Sequence, residues 1–267
     1  MLNNEPIDLR HPAVHWKPIT TEIPAQQVQI AAAKYVRHQP GESVIAIQKW
    51  AGAVNKTSSV LGGMYSSIES IECPELFKHA KNIQESSGLA RAVAIIDFSS
   101  ECMTHVKTHL SSIREAMVAG RVPRSQKAKV ELEALLRVVD SEEMDPVMDA
   151  LAAIRRAPGA ILYRRELFDE MRRSLSNTGE KADDDLSASA WKTRNLTRRI
   201  GRRLATHSVG TTLLVKGLEF DHAVILDAES VGYTKEHLYV ALTRGSRSLT
   251  VVSRSPVQTY GHGSPLS

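Results

Sequence analysis

The sequence predicts an α/β protein built on a parallel sheet and interrupted by a helical insertion. Four short apolar runs read as buried strands: "SVIAIQ" at Ser43–Gln48, "SVGTTLLV" at Ser208–Val215, "HAVILD" at His222–Asp227 and "SLTVVSR" at Ser248–Arg254. A helix at Lys235–Arg244 separates the last two, and alternation of strand and helix is the pattern of parallel strands joined by crossovers. Between Pro74 and Leu204 the texture changes to Ala, Leu, Glu, Lys and Arg, broken at Gly120, Pro123, Pro158 and the "SNTGEKADDD" segment, which reads as mostly helical.

Taken in order, Pro6, Pro12, Pro18, Pro24 and Pro40 limit regular structure near the start, leaving room for a helix at Ala25–His38. The strand at Ser43–Gln48 follows a Pro-Gly turn signal. Ala92–Ile96 suits either a strand or a buried helix. These readings predict a discontinuous sheet domain from 1–70 and 205–255, a helical insertion at 71–204, and a flexible Gly-, Pro- and Ser-rich tail at 256–267.

Composition narrows the function classes. A hydrophobic content of 42% over 267 residues supports a substantial core. No apolar run reaches membrane-spanning length and no basic, apolar leader opens the chain, so a cytoplasmic protein without membrane association is expected. Cys73 and Cys102 are far apart and lack a CxxC pattern, which argues against a zinc cluster or a disulfide framework. The formal net charge of +4 is compatible with a polyanionic partner without demanding one.

The stretch "TTLLVKGLEFDHAVI" carries the first functional signal. A strand ending at Val215 would deliver Lys216, Gly217 and Glu219 to its carboxyl end, where open α/β sheets place ligands. Lys216 offers a cation, Gly217 a close backbone approach, and Glu219 an acceptor suited to a hydroxyl donor. Downstream, "EHLYVALTRGSRSLTVV" places Arg244 at a helix-to-strand junction, expected on the same sheet edge, where a guanidinium can fork onto phosphate oxygens. A plain strand-turn-strand connection with solvated charges is the alternative for the first stretch taken alone.

Lys216-Gly-Leu-Glu-Phe220 followed by Tyr239-Val-Ala-Leu-Thr-Arg244 resembles motifs V and VI of the UvrD/Rep group of superfamily 1 DNA helicases, in order and in spacing. The resemblance covers Thr211–Val252 and extends loosely to Ser43–Gln48, at the place of motif IV. It implies a RecA-like second motor domain with an inserted helical subdomain, belonging to an ATP-dependent DNA helicase. Arg244 would then be an arginine finger for phosphoryl transfer, and Glu219, Gly217, Lys216, Lys49 and Gln48 nucleotide-facing residues. Thr211 and Lys216 fall in the motif that couples nucleotide to single-stranded DNA, while Tyr239 and Thr243 would pack and orient the helix.

Departures limit the implication. Leu213 stands where the family has His, and Gln48-Lys49 stands where it has an aromatic followed by Arg. No Gly-x-x-x-x-Gly-Lys-Ser/Thr cradle occurs; "GAVNKTSS" from Gly52 lacks the glycine before Lys56. "AIIDFSS" imitates a strand-then-acid metal site, but Phe98 follows Asp97 and a packing role is favoured. ATP and Mg2+ would therefore require a Walker-A-bearing N-terminal half, in cis or in trans. Partners implied are that half and single-stranded or partly duplex DNA. A non-catalytic nucleic-acid-binding or adaptor protein retaining the scaffold is the competing expectation.

A last signal is "SAWKTRNLTRRIGRRL", Ser189–Leu204, which holds six basic residues and no acid. Arg194, Arg198 and Arg202 recur every four residues, and with Arg199 and Arg203 they suit a phosphate backbone; pairing with acids elsewhere is the alternative. His105 and His109 have metal-pair spacing, but Val106 replaces the Glu of HExxH and no third ligand is apparent; like His11 and His15 they read as ordinary histidines.

Overall fold

The computed structural model describes residues 6–124, 127–178, 185–202 and 204–258. Strands β1 (Ile7–Asp8) and β2 (Val14–Pro18) lead into α1 (Ala25–Lys34), β3 (Val44–Gln48), α2 (Ala51–Val60) and β4 (Ser66–Ser67). Helices follow as α3 (Pro74–Glu85), α4 (Gly88–Cys102), α5 (Val106–His109), α6 (Ser111–Val118), α7 (Lys129–Val139), α8 (Asp145–Arg155), α9 (Arg165–Ser176) and α10 (Leu186–Ile200). The chain then forms β5 (His207–Thr211), β6 (Phe220–Ile225), α11 (Lys235–Leu242), β7 (Gly245–Ser253) and β8 (Val257–Gln258). Two compact units divide these elements: Met1–Ile68 with Leu204–Ser267, and Glu69–Arg203.

The first unit is an α/β sheet layer. Its six strands run in the order β2-β7-β6-β3-β5-β4, with parallel pairing throughout. All of β3 is buried because both faces are covered, which explains an apolar run without alternation. Ile45 and Ile47 pack with Leu238 and Ala241 of α11, whereas Val44 and Ala46 pack with Ala32, Ala33 and Val54 of α1 and α2. Each such buried Val or Ile contributes roughly 1.5–3 kcal/mol. No helix among the described residues is long and apolar enough to cross a membrane.

Several boundaries differ from the sequence reading. Strand β5 stops at Thr211 rather than Val215, because the chain turns there: the Val215 amide donates to the Thr211 carbonyl (3.1 Å) and Leu213 is 78% exposed. Residues 256–258, expected in a flexible tail, are held instead. Strand β8 pairs antiparallel with β1, and the Leu9 amide donates to the Pro256 carbonyl (2.7 Å). The rest of that expected tail, 259–267, lies outside the described residues. "GAVNKTSS" is the body of α2, not a phosphate-binding loop.

The second unit, as described, is helical around its own core, which includes Ile95, Phe98, Leu135, Ile154, Leu167 and Phe168. Ala92–Ile96 lies inside α4, so the helix alternative holds. Asp97 also lies on α4 and accepts from Arg114 at 2.5 and 2.9 Å, while Phe98 is fully buried and stacks on Phe168 with ring centroids 6.1 Å apart. A packing role for this segment follows directly. His109 faces Glu131 (3.4 Å), as an ordinary paired histidine does.

Candidate functional site

Strands β5 and β6 are both parallel to β3, so residues 212–219 must carry the chain from the carboxyl end of β5 to the amino end of β6. Gly217 makes the last bend with φ +81, a left-handed conformation that a Cβ would strain, and nothing lies within 4 Å of where that Cβ would be. Lys216, Gly217 and Glu219 are exposed, and no hydrogen bond or ion pair engages the Lys216 or Glu219 side chain among the described residues. Two charged groups of opposite sign thus flank an open glycine turn.

Helix α11 delivers Arg244 to the same edge. The Phe220 amide donates to the Arg244 carbonyl (3.0 Å), which ties the start of β6 to the start of β7. The guanidinium donates through Nη1 to the Leu218 carbonyl (2.7 Å), through Nε to the Val240 carbonyl (2.8 Å) and through Nη2 to Thr243 Oγ1 (2.8 Å). Of the five N–H donors of an arginine, three are used and two remain. The half-buried guanidinium is thereby fixed in place while keeping capacity for one further acceptor.

Gly245 sets the close approach of this junction. A Cβ there would collide with the Ser248 carbonyl oxygen and come within 2.9 Å of the Ala223 amide nitrogen, both backbone atoms that cannot swing away. Gly245→Ala is therefore expected to destabilise the protein by about 1–3 kcal/mol. A denaturant midpoint equal to wild type would refute that.

The edge is not the one expected from the sequence. Glu219 and Arg244 directly precede β6 and β7 and so sit at their amino ends, because β5 ends early and the connection runs along the sheet before Glu219 is reached; Lys216 and Gly217 lie on that connection. Lys49, by contrast, follows the carboxyl end of β3. The register Ile47↔Ile225 aligns it with Asp227, eight residues along from Glu219, or roughly 25 Å at strand rise. Lys49 and Arg244 therefore do not converge on one phosphate.

At its own end Lys49 belongs to a group the sequence did not flag. Its ammonium is 3.2 Å from the His237 ring nitrogens, 5.5 Å from the Trp50 ring centroid and 5.9 Å from that of Tyr233. Burial lowers the Lys49 pKa. The capping box from Thr234 to His237 that orients the imidazole was the available signal. Gln48 is 9% exposed and donates to Thr57 Oγ1 (2.7 Å), so it packs between β3 and α2 instead of meeting a nucleotide base. Thr211, at the end of β5, accepts from the Leu214 amide (3.4 Å) within the turn.

The basic helix keeps only part of the expected cationic surface. Arg194 is 2% exposed and donates to Glu166 (2.9 Å), to both oxygens of Glu170 (2.8 Å each), and to the carbonyls of Ile71 and Ser70. Burial opposes its charge, but the two carboxylates prevail and raise its pKa. Arg202 pairs with Glu166 (2.7 Å) and Arg198 with Glu72 (2.5 Å). The partners come from α9 and from the segment before α3, too distant in sequence to be read from the helix itself. Trp191, Leu196 and Ile200 are exposed, together with Lys192, Arg198 and Arg199. Arg203 lies outside the described residues.

A histidine group occupies the amino ends of β5 and β6. His38 and His207 meet edge-on at 4.5 Å, Tyr65 stacks on His207 at 5.3 Å, and His222 lies between Ser248 and Glu42 at 2.8 Å from each. Burial, then the neighbouring His38, lowers the His207 pKa below 6.5. The sign follows. The neutral ring contributes its full stability above the unfolded value, and that contribution is lost as pH falls through the lowered folded value. Urea midpoints measured from pH 7.5 to 5 should drop more steeply for wild type than for His207→Asn; parallel curves would refute this.

A cavity of about 520 Å³ between α1, β2 and β7 is lined by His15, Lys17, Tyr35 and Arg37, among others, and by none of Lys216, Glu219 or Arg244. The nucleotide-facing reading thus rests on an open edge. Two spare guanidinium donors on Arg244 can meet one further acceptor at this edge. Glu219 alone does not make a magnesium site, and the candidate three-ligand group found among the described residues, Glu69, Cys73 and Glu75, lies in the helical unit. No protein-family model matches the chain, and no curated protein matches it.

Proposed function

We propose that this chain is the C-terminal motor half of a UvrD/Rep-type ATP-dependent DNA helicase or translocase. The observation that carries the reading is the joining of the Lys216–Glu219 loop and Arg244 at adjacent strand ends. Arg244 would supply charge to the phosphoryl group of ATP held by a Walker-A-bearing half, and Glu219 would accept from a nucleotide hydroxyl. ATP bound with Mg2+ on that other half would supply the phosphoryl group; this chain's own task is to present and orient Arg244. A parallel α/β layer is a suitable support, because strand ends fix such side chains rigidly.

The full chain alone should show no appreciable Mg2+-dependent ATPase. Mixed with a P-loop-bearing half of a UvrD/Rep-type helicase, it should show DNA-stimulated hydrolysis that depends on Arg244. A non-catalytic nucleic-acid-binding or adaptor role is the second reading, favoured by the three intramolecular bonds that already occupy Arg244. DNA binding without hydrolysis in the mixed assay would select it.

A further inference from the structure

Within the helical unit, the turn that opens α3 gathers three side chains able to ligate a metal. Glu69, Cys73 and Glu75 each offer one ligand atom, and those atoms all lie within 4.8 Å of one another. Ligand atoms around a tetrahedral zinc stand roughly 3.3–3.8 Å apart, so small rotamer shifts close the set. The local fold explains the gathering. Cys73 is the N-cap of α3, and its amide donates to Ser70 Oγ (2.9 Å), so the turn brings Glu69 back to the first turn of the helix, where Glu75 stands. Arg194 donates to the carbonyls of Ser70 and Ile71, and Arg202 to that of Glu69, which pins the turn. Cysteine spacing carries no sign of this group, because only one cysteine enters it.

Two observations point to a cation. The Cys73 thiol is fully buried and has no hydrogen-bond partner among the described residues, although both carboxylates are within 4.8 Å of it. Positive charge is also short. Arg164 donates through Nε and Nη2 to the two oxygens of Glu69 (2.8 and 2.5 Å), stands 3.6 Å from Glu101, and reaches Glu75 at longer range. Glu101 has Lys78 (3.5 Å) and His79 (3.1 Å) besides, whereas Glu75 makes no hydrogen bond or ion pair of its own among the described residues. The bonds from Arg164 leave Glu69 able to ligate, because each carboxylate oxygen keeps a second lone pair. With Cys73 as the thiolate, the three ligands carry three negative charges, which one dication and Arg164 together neutralise. A thiolate selects zinc over magnesium or calcium, which take oxygen ligands.

We propose that Glu69, Cys73 and Glu75 bind a Zn2+ ion that fastens this turn to the start of α3. Three protein ligands leave the fourth tetrahedral position to water. Binding forms a zinc–sulfur bond and releases the thiol proton to solvent. Arg164, which holds both oxygens of Glu69, is the positioning residue. The site goes beyond the helicase reading and uses none of its residues.

The test is a titration of the full chain with Co2+, whose thiolate complexes show a sulfur-to-cobalt charge-transfer absorption. One equivalent should produce the band, and Zn2+ should displace it. Cys73→Ser should abolish the band and Cys102→Ala should keep it. Glu75→Gln should weaken binding by about tenfold or more. Glu75 is only half-buried, so the melting temperature of that variant in chelator should stay close to wild type. Zn2+ should raise the melting temperature of wild type but not of Cys73→Ser, and Arg244→Ala should bind as wild type does. The absence of a charge-transfer band, a band that survives Cys73→Ser, or wild-type affinity in Glu75→Gln would each overturn the proposal.

Discussion

Arg194→Ala is expected to cost about 3–5 kcal/mol, because it leaves buried carboxylate charge without its partner. Glu170 is fully buried and both its oxygens accept from Arg194; the carbonyls of Ile71 and Ser70 would also lose their donor. Urea or thermal unfolding of the full chain checks the size. Replacing Arg194 by Met together with Glu170 by Gln should recover much of the loss, since the unpaired charge is then gone. A single Arg194→Ala variant within 1 kcal/mol of wild type would show that water or another cation takes over the site.

Arg244→Ala should reduce DNA-stimulated ATP hydrolysis by about 10³–10⁵-fold in the mixed assay with a P-loop half. Arg244→Lys should not restore it, because an ammonium cannot hold the Leu218 and Val240 carbonyls and also present a fork. The control is stability. Arg244 is only half-buried, so unfolding should shift far less than for Arg194→Ala. Glu219→Gln should raise the nucleotide KM while leaving kcat nearly unchanged, as expected for a group that binds the sugar without touching the transferred phosphate. Hydrolysis that appears on mixing and survives Arg244→Ala would remove the arginine-finger assignment.

Much of the sheet was legible because buried parallel strands declare themselves. Val44–Ile47 and Ala223–Ile225 are apolar on both faces, and Leu249–Val252 is apolar but for Thr250. The end of β5 was not legible. Leu213, Leu214 and Val215 continue the apolar run, yet only Val215 is buried, after the chain has already turned. With the connection starting at Thr212, Glu219 falls at the amino end of β6 rather than at the carboxyl end of β5. Arg194 failed for a different reason: a helix containing no acid reads as cationic surface, while the acids that neutralise it stand on α9.

Strand β3 has consequences for how the protein is made. Both of its sheet neighbours, β5 and β6, are encoded more than 150 residues later, whereas Glu69–Arg203 is continuous in sequence. A nascent chain that has reached residue 203 can complete its helical unit, but it carries Val44–Gln48 as an unpaired apolar strand with no partner yet synthesised. At ~5–20 residues per second that interval lasts roughly ten to thirty seconds on the ribosome. The most buried strand of the sheet thus waits more than 150 residues for its neighbours during synthesis, and it is there that a chaperone would find this chain.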